Sequence, residues 1–252
     1  MRELTEVAPG VLVATSRRMS TTSTVFHDGG RAFLVDPAWL PDELAALAAT
    51  LGGRGLSVTG GFATHAHHDH LLWRPGFGDV PRFASPATAA LAVTERPALV
   101  AALGADFPGD LVDLMGRVIG VEQVPGAVLP HGTVVELVVH DGHAPGHTAL
   151  WLPDQRVLLA GDMLSDVELP LPFWPDDLPA YRSALDRLTR YAEQAAVVVP
   201  GHGAPGADAL ERLDADRRFL DDVAADRAPD DARLVNPGMA EVLEHLHRMM
   251  RD

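Results

Sequence analysis

Residues 64–70 read Thr-His-Ala-His-His-Asp-His, which gives the spacing His65-x-His67-x-Asp69-His70. Imidazoles together with a carboxylate suit zinc, iron or manganese. His65 and His67 are two positions apart, so at a strand end or in an extended loop they point the same way. Asp69 and His70 follow where the chain is expected to turn into a helix, and they can address a second, adjacent site. The stretch comes directly after an apolar run ending at Phe62-Ala63. The competing reading is a solvated polar loop in a chain with 12 histidines, because short motifs also match by accident.

Further ligand types recur downstream in the same kind of place. Pro145-Gly146-His147-Thr148, Ala160-Gly161-Asp162-Met163 and Pro200-Gly201-His202-Gly203 each adjoin an aliphatic run expected to be a strand. Glycine beside each of them lets the backbone turn sharply, and strand-end loops are where a rigid sheet presents functional groups. With the first motif these supply five histidines and two aspartates, enough for two metal ions.

The set and its order, spread over roughly residues 10–203, resemble the metallo-β-lactamase superfamily of αββα metallohydrolases. The resemblance implies an α+β fold, a four-layer αββα sandwich of two mixed β-sheets flanked by helices. It implies that His65, His67 and His147 hold one metal, that Asp69, His70 and His202 hold the second, and that Asp162 bridges the two. The cofactors expected are two divalent ions, zinc first, with iron or manganese also suited to the ligands. The superfamily alone does not fix a substrate, because one fold hosts many chemistries.

The elements that must carry these residues follow from pattern. Residues 3–15 read as one or two short strands around Pro9-Gly10, and Thr21–His27 with Arg31–Val35 form a hairpin over Asp28-Gly29-Gly30. Asp36 closes the second strand, where it either orients a ligand histidine or caps a turn. Pro41 to Leu51 is an amphipathic helix with Leu44, Leu47 and Leu51 on one face. Leu56–Ala63 is a buried strand, and Pro75-Gly76 should cut short the helix after His70. Leu71-Leu72-Trp73 stands where the superfamily often has small residues, which implies a narrowed or reshaped site.

Residues 86–118 read as two or three helices in the position of a lid, although the spacing of Leu91, Leu99, Val100, Leu103, Leu111, Leu114 and Met115 fits burial better than substrate contact. His143, four before His147, reads as a loop histidine or an indirect partner of the site. The 163–177 segment is rich in proline and apolar groups. Its Phe173 and Trp174 are either a pocket wall or a plug under the helix Leu178–Ala195. Val134–Val139, the hairpin Ala149–Leu152/Arg156–Ala160 and Val197–Val199 are further strands, and residues 206–224 and 238–250 are C-terminal helices. One domain over residues 1–252 is expected, with the helical insert at about 86–118 and C-terminal helices within about 206–250.

Composition bounds the function. In 252 residues, 47% are hydrophobic and 22% charged, ordinary for a globular chain. There is no cysteine, so thiolate ligands, disulfides and a cysteine nucleophile are excluded. Net charge is −15 and every basic residue is arginine, which argues against a nucleic-acid partner. No apolar run reaches the roughly 20 residues of a membrane span and the first residues open no signal-peptide core. The expectation is therefore a cytoplasmic enzyme acting on a small molecule, with no membrane partner.

The chemistry expected is hydrolysis. A hydroxide generated between two metals attacks an ester, lactone or thioester carbonyl, and Asp69 and Asp162 hold the geometry and move the proton. A β-lactam is disfavoured by the absence of lysine to meet its carboxylate and of an export signal. Classical glyoxalase II is disfavoured for want of a basic C-terminal region. The alternatives are an iron-dependent oxidoreductase of the persulfide dioxygenase type and a non-catalytic metal-binding protein.

Overall fold

Strand β4 (Arg31–Val35) sends alternate residues to two different interiors. Phe33 and Val35 enter one apolar cluster, and Ala32 and Leu34 enter another. Side chains alternate across a strand, so a run that is apolar at every position must be covered on both faces. The same holds for β9 (Thr148–Leu152) and β10 (Val157–Gly161): Leu150, Leu152, Val157 and Leu159 go inward, while Ala149, Trp151, Leu158 and Ala160 go outward.

The computed structural model describes residues 3–173 and 176–250, and Trp174 therefore lies outside the described residues. The first sheet runs in chain order: β1 (Thr5–Ala8), β2 (Val11–Thr15), β3 (Thr22–His27), β4, β5 (Ser57–Phe62), β6 (Arg82–Ala84) and β7 (Ile119–Gly120). Pairing is antiparallel from β1 to β4 and parallel from β4 to β7. The second sheet has the order β11 (Val197–Pro200), β10, β9, β8 (Glu136–Val139), with only the β10–β11 pair parallel. Both sheets are mixed.

Three apolar clusters make four layers. Between the sheets lie Phe26, Phe33, Phe62 and Phe83 against Leu150, Leu159 and Val199. On the outer face of the first sheet pack α1 (Pro41–Gly53), through Leu44, Leu47 and Leu51, and the helices α2 (Pro86–Thr94), α3 (Arg96–Leu103) and α4 (Gly109–Leu114). On the outer face of the second sheet pack α5 (Leu178–Ala192), α6 (Ala209–Ala224) and α7 (Met239–Met249). This is the expected αββα sandwich. Among the described residues no helix is long and apolar enough to cross a membrane.

Two local expectations are corrected. No α-helix follows His70; the chain makes only a 3₁₀ turn at Pro75–Phe77. Leu71, Leu72 and Trp73 are buried in the outer core of the first sheet, with Trp73 edge-on to Phe77. They are drawn away from the metal-ligand loop and do not line the cavity in front of it. Of the 86–118 helices, Leu103, Leu111 and Met115 serve as core, as their spacing suggested, whereas Leu91 and Leu99, expected there as well, also line the cavity in front of the ligand loop.

Candidate metal centre

The ligand-bearing loops leave neighbouring strands at one rim of the sandwich. His65, His67, Asp69 and His70 follow β5, Asp162 follows β10, His202 follows β11, and His143 lies between β8 and β9. Backbone hydrogen bonds tie the two sheets at this rim: Thr22 N–H donates to the Gly201 carbonyl at 2.7 Å, and Thr148 N–H to that of Thr64 at 2.9 Å. Close packing there demands glycine. A Cβ on Gly201 would lie 1.9 Å from Asp162 Oδ1, and one on Gly161, whose φ is +54°, 2.4 Å from His147 Nε2.

Two groups of ligand atoms form. His65, His67, His143 and Asp162 converge in one, and Asp69, His70 and His202 in the other. In the first, His67 Nδ1 is 2.9 Å from His65 Nε2 and 3.0 Å from His143 Nε2. Asp162 Oδ2 is 3.4 Å from both His65 Nε2 and His143 Nε2. In the second, Asp69 Oδ2 is 3.5 Å from His70 Nε2 and 3.4 Å from His202 Nε2. The Asp162 carboxylate also touches this second group, with Oδ1 3.1 Å from His70 Nε2 and Oδ2 3.2 Å from His202 Nε2. It stands between the two.

The structure differs from expectation at one histidine. His147 is outside the ligand cluster, and His143 takes the place expected for it. The ring of His147 lies beneath the site. Its Nε2 accepts the backbone N–H of Asp162 at 3.0 Å, and its Nδ1 faces His140 Nε2 at 3.3 Å. The loop that makes this choice is pinned by the start of α2. Ser85 and Thr88 hydroxyls both donate to the Gly146 carbonyl, at 2.6 and 3.0 Å, while Ser85 also caps α2 by accepting from Thr88 N–H. His143 Nδ1 in turn rests on the Leu171 carbonyl at 2.9 Å, leaving Nε2 for the cluster.

A second layer aims the ligands. Asp36 accepts from the Thr64 N–H at 2.9 Å and its hydroxyl at 2.6 Å, and its Oδ2 sits 2.9 Å from His70 Nδ1. Asp36 thus orients a ligand histidine, one of its two expected roles. The Thr64 hydroxyl is also 3.0 Å from His65 Nδ1. His202 Nδ1 donates to the Met19 carbonyl at 2.8 Å, and the Thr21 hydroxyl donates to Asp69 Oδ2 at 3.2 Å. Such partners fix ring orientation and tautomer.

Protonation divides the groups. Burial pushes the pKa of His67 well below the usual histidine value and that of His143 down to about 3. Neutral imidazoles are the form that binds a metal. At His202 burial opposes the charge, but Asp162 overrides it and raises the pKa to about 10; His70 is raised in the same way by Asp162 and Asp69. Burial likewise opposes the ionised form of Asp162, and the charges of His202 and His70 hold it far below the ordinary carboxylate range.

The donor set fits divalent cations. Nitrogen lone pairs and carboxylate oxygens of two buried groups face one another. Asp162 Oδ1, in a side chain only 5% exposed, lies 3.1 Å from His70 Nε2 but outside hydrogen-bond geometry. A buried carboxylate oxygen left so costs free energy unless a cation takes it up.

The clusters open onto a cavity of about 1190 Å³. Its walls include Leu91 and Leu99 from α2 and α3, Val167, Leu171 and Phe173 from the loop after Asp162, and Met239 and Val242 from α7. Phe173 lines this cavity, the pocket-wall role considered for it, and packs against the His245 ring of α7 at 4.2 Å between centroids. The contribution of α7 has no signal in the sequence, because it depends on how the C-terminal segment folds back. Arg233 secures that return: it is salt-bridged to Asp216 and Asp231 and donates to the carbonyls of Ser165 and Glu168.

A family model described as the metallo-beta-lactamase superfamily matches residues 17–202. Among solved structures, a beta-lactamase domain protein from Burkholderia ambifaria is 22% identical, with a TM-score of 0.66 over 88% of this chain and 74% of its own. A metallo-beta-lactamase family protein from Thermus thermophilus is 21% identical, with a TM-score of 0.66 over 97% of this chain and 90% of its own. A metallo-beta-lactamase from Pontibacter korlensis is 21% identical, with a TM-score of 0.62 over 84% and 98%. At such identities these neighbours share the fold and leave the substrate open. Matched over most of its length and carrying two His/Asp clusters of metal-ligand type, the chain belongs to the metallo-β-lactamase superfamily.

Proposed function

We propose that this protein is a binuclear metal-dependent hydrolase acting on the carbonyl of a small ester, lactone or thioester. The observation that carries the reading is the Asp162 carboxylate, within 3.4 Å of His65 and His143 on one side and within 3.2 Å of His70 and His202 on the other. His65, His67 and His143 would hold one ion and Asp69, His70 and His202 the other, with Asp162 shared; zinc suits this nitrogen-rich set first. When bound, such a pair supplies Lewis acidity and a water that loses its proton near neutral pH.

The chain's own residues do the rest. Asp162 and Asp69 are ionised carboxylates fixed by the His147-anchored backbone and by the Thr21 hydroxyl. In this reading they keep the reacting water oriented and pass its proton to the departing oxygen or sulfur. The acyl–oxygen or acyl–sulfur bond breaks, the water oxygen joins the acyl carbon, and the proton leaves with the alcohol or thiol. The apolar walls exclude bulk water and suit an acyl group.

The test is a panel of lactones, acyl esters and acyl thioesters assayed with metal-loaded protein. Turnover that disappears on chelation, and in Asp162→Ala, supports the reading. Absence of turnover across the panel, with oxygen uptake on a persulfide substrate instead, would favour a one-iron oxidoreductase.

A further inference from the structure

The cavity in front of the clusters is larger than the chemistry at its base requires. Its volume of about 1190 Å³ exceeds the roughly 300–1,000 Å³ of ordinary small-molecule sites. One side is a stripe along α2 and α3, with Leu91, Glu95, Ala98, Leu99 and Ala102 recurring at helical spacing. Apolar lining contributed from elsewhere includes Leu171, Phe173, Met239 and Val242, beside the polar Ser20, His68 and Asn236. Ala98 and Ala102 lie one turn apart, are exposed, and offer only methyl groups to this space.

Charge narrows the occupant. Apart from the clustered ligands, the described lining carries the carboxylates Glu95 and Glu168 and one guanidinium, Arg17. Arg17 is already bonded to Asp42 at 2.9 Å and to Glu43 at 3.3 Å. An anionic tail would meet carboxylates and apolar carbon, where desolvating its charge is costly. A neutral hydrocarbon tail would meet neither penalty, and each methylene it buries adds to affinity.

We propose that this cavity holds a neutral aliphatic chain of the substrate, continuous with the carbonyl at the clusters, and that Ala98 and Ala102 set the chain length admitted. The assignment rests on the hydrolase reading for the placement of the carbonyl, but chain binding is measured without turnover.

The experiment is displacement of the neutral fluorophore N-phenyl-1-naphthylamine from the metal-loaded protein by linear alcohols from butanol to dodecanol, and by the matching monocarboxylates and α,ω-dicarboxylates, which differ from each other only by a charge at the far end of the chain. Affinity should rise about fourfold per added methylene, the worth of burying one CH₂, up to a limiting length. α,ω-Dicarboxylates of that length, charged at the far end, should bind at least tenfold more weakly than the monocarboxylates. Ala98→Phe and Ala102→Phe should each lower the limiting length while leaving butanol unchanged; two positions guard against one variant failing to fold. Affinity independent of chain length, dicarboxylates binding as well as monocarboxylates, or an unmoved limit in both variants would overturn the proposal. Hydrolysis of the matching 4-nitrophenyl esters is read separately. Chain-dependent binding without metal-dependent turnover upholds the cavity assignment and removes the hydrolase reading. Turnover without chain dependence does the reverse.

Discussion

His147 Nε2 accepts the backbone N–H of Asp162 at 3.0 Å, so this histidine fixes the residue between the clusters without itself joining either. The relationship separates two histidines that lie four positions apart in one loop. His143→Ala should remove a ligand and cost most of one metal equivalent. His147→Ala should keep both ions at saturating metal but lose about 10–100-fold in affinity, as for other residues that orient ligands. It should also destabilise the fold by about 1–3 kcal/mol, because the buried Asp162 N–H loses its acceptor. Metal titration and denaturant unfolding of the two variants check this; equal metal loss in both would contradict it.

Asp36 is the corresponding support for the second cluster, receiving the Thr64 N–H and hydroxyl and standing 2.9 Å from His70 Nδ1. Asp36→Ala should weaken metal binding about 10–100-fold, with the first ion to be lost the one at Asp69, His70 and His202. Stepwise chelator competition measures the two affinities separately.

Glu168 gives a pH signature to the metal-free protein. Its side chain is 18% exposed and 3.8 Å from His202, and burial raises its pKa to about 7 from 4.5. A carboxyl whose folded pKa is raised favours folding most below its unfolded pKa, and that contribution is lost as pH rises through the folded one. Stability attributable to Glu168 should therefore fall between about pH 4.5 and 7. Glu168→Gln should be more stable than wild type at pH 8, by on the order of 2–3 kcal/mol, with little difference at pH 4. Unfolding of the metal-free pair at the two pH values tests the sign.

Arg233 joins the C-terminal segment to the loop after Asp162. Its guanidinium is nearly buried and bonded to Asp216 at 2.6 Å, Asp231 at 2.8 Å and the Glu168 carbonyl at 2.9 Å. Arg233→Ala leaves the Asp216 carboxylate, 1% exposed, without its cation. The expected cost is about 3–5 kcal/mol, read by urea unfolding. Arg233→Ala/Asp216→Ala together should recover part of that loss, since the stranded charge is then gone.

Much of this was legible from residue patterns. Strands β2 to β5 and the β9–β10 hairpin follow from aliphatic runs punctuated by Asp28-Gly29-Gly30 and Pro153-Asp154-Gln155. The convergence of His65, His67, Asp69, His70, Asp162 and His202 follows from their places just beyond strand ends. His143 was not legible as a ligand, because Gly142-His143 and Gly146-His147 carry the same local signal. The choice is made at long range, by Ser85 and Thr88 gripping the Gly146 carbonyl and Leu171 holding the His143 ring. The helix expected after His70 gave way because Leu71, Leu72 and Trp73 bury themselves beneath the sheet. The α7 wall was hidden for a similar reason, since Arg233 reaches back across the chain to Ser165 and Glu168.

The central claim is a two-metal centre shared at Asp162, and metal content tests it most directly. Elemental mass spectrometry of wild-type protein and Asp162→Ala, each reconstituted with zinc and desalted, should give about two equivalents for wild type and a clear loss in the variant. One equivalent in both proteins, unchanged by removal of the carboxylate, would contradict the account.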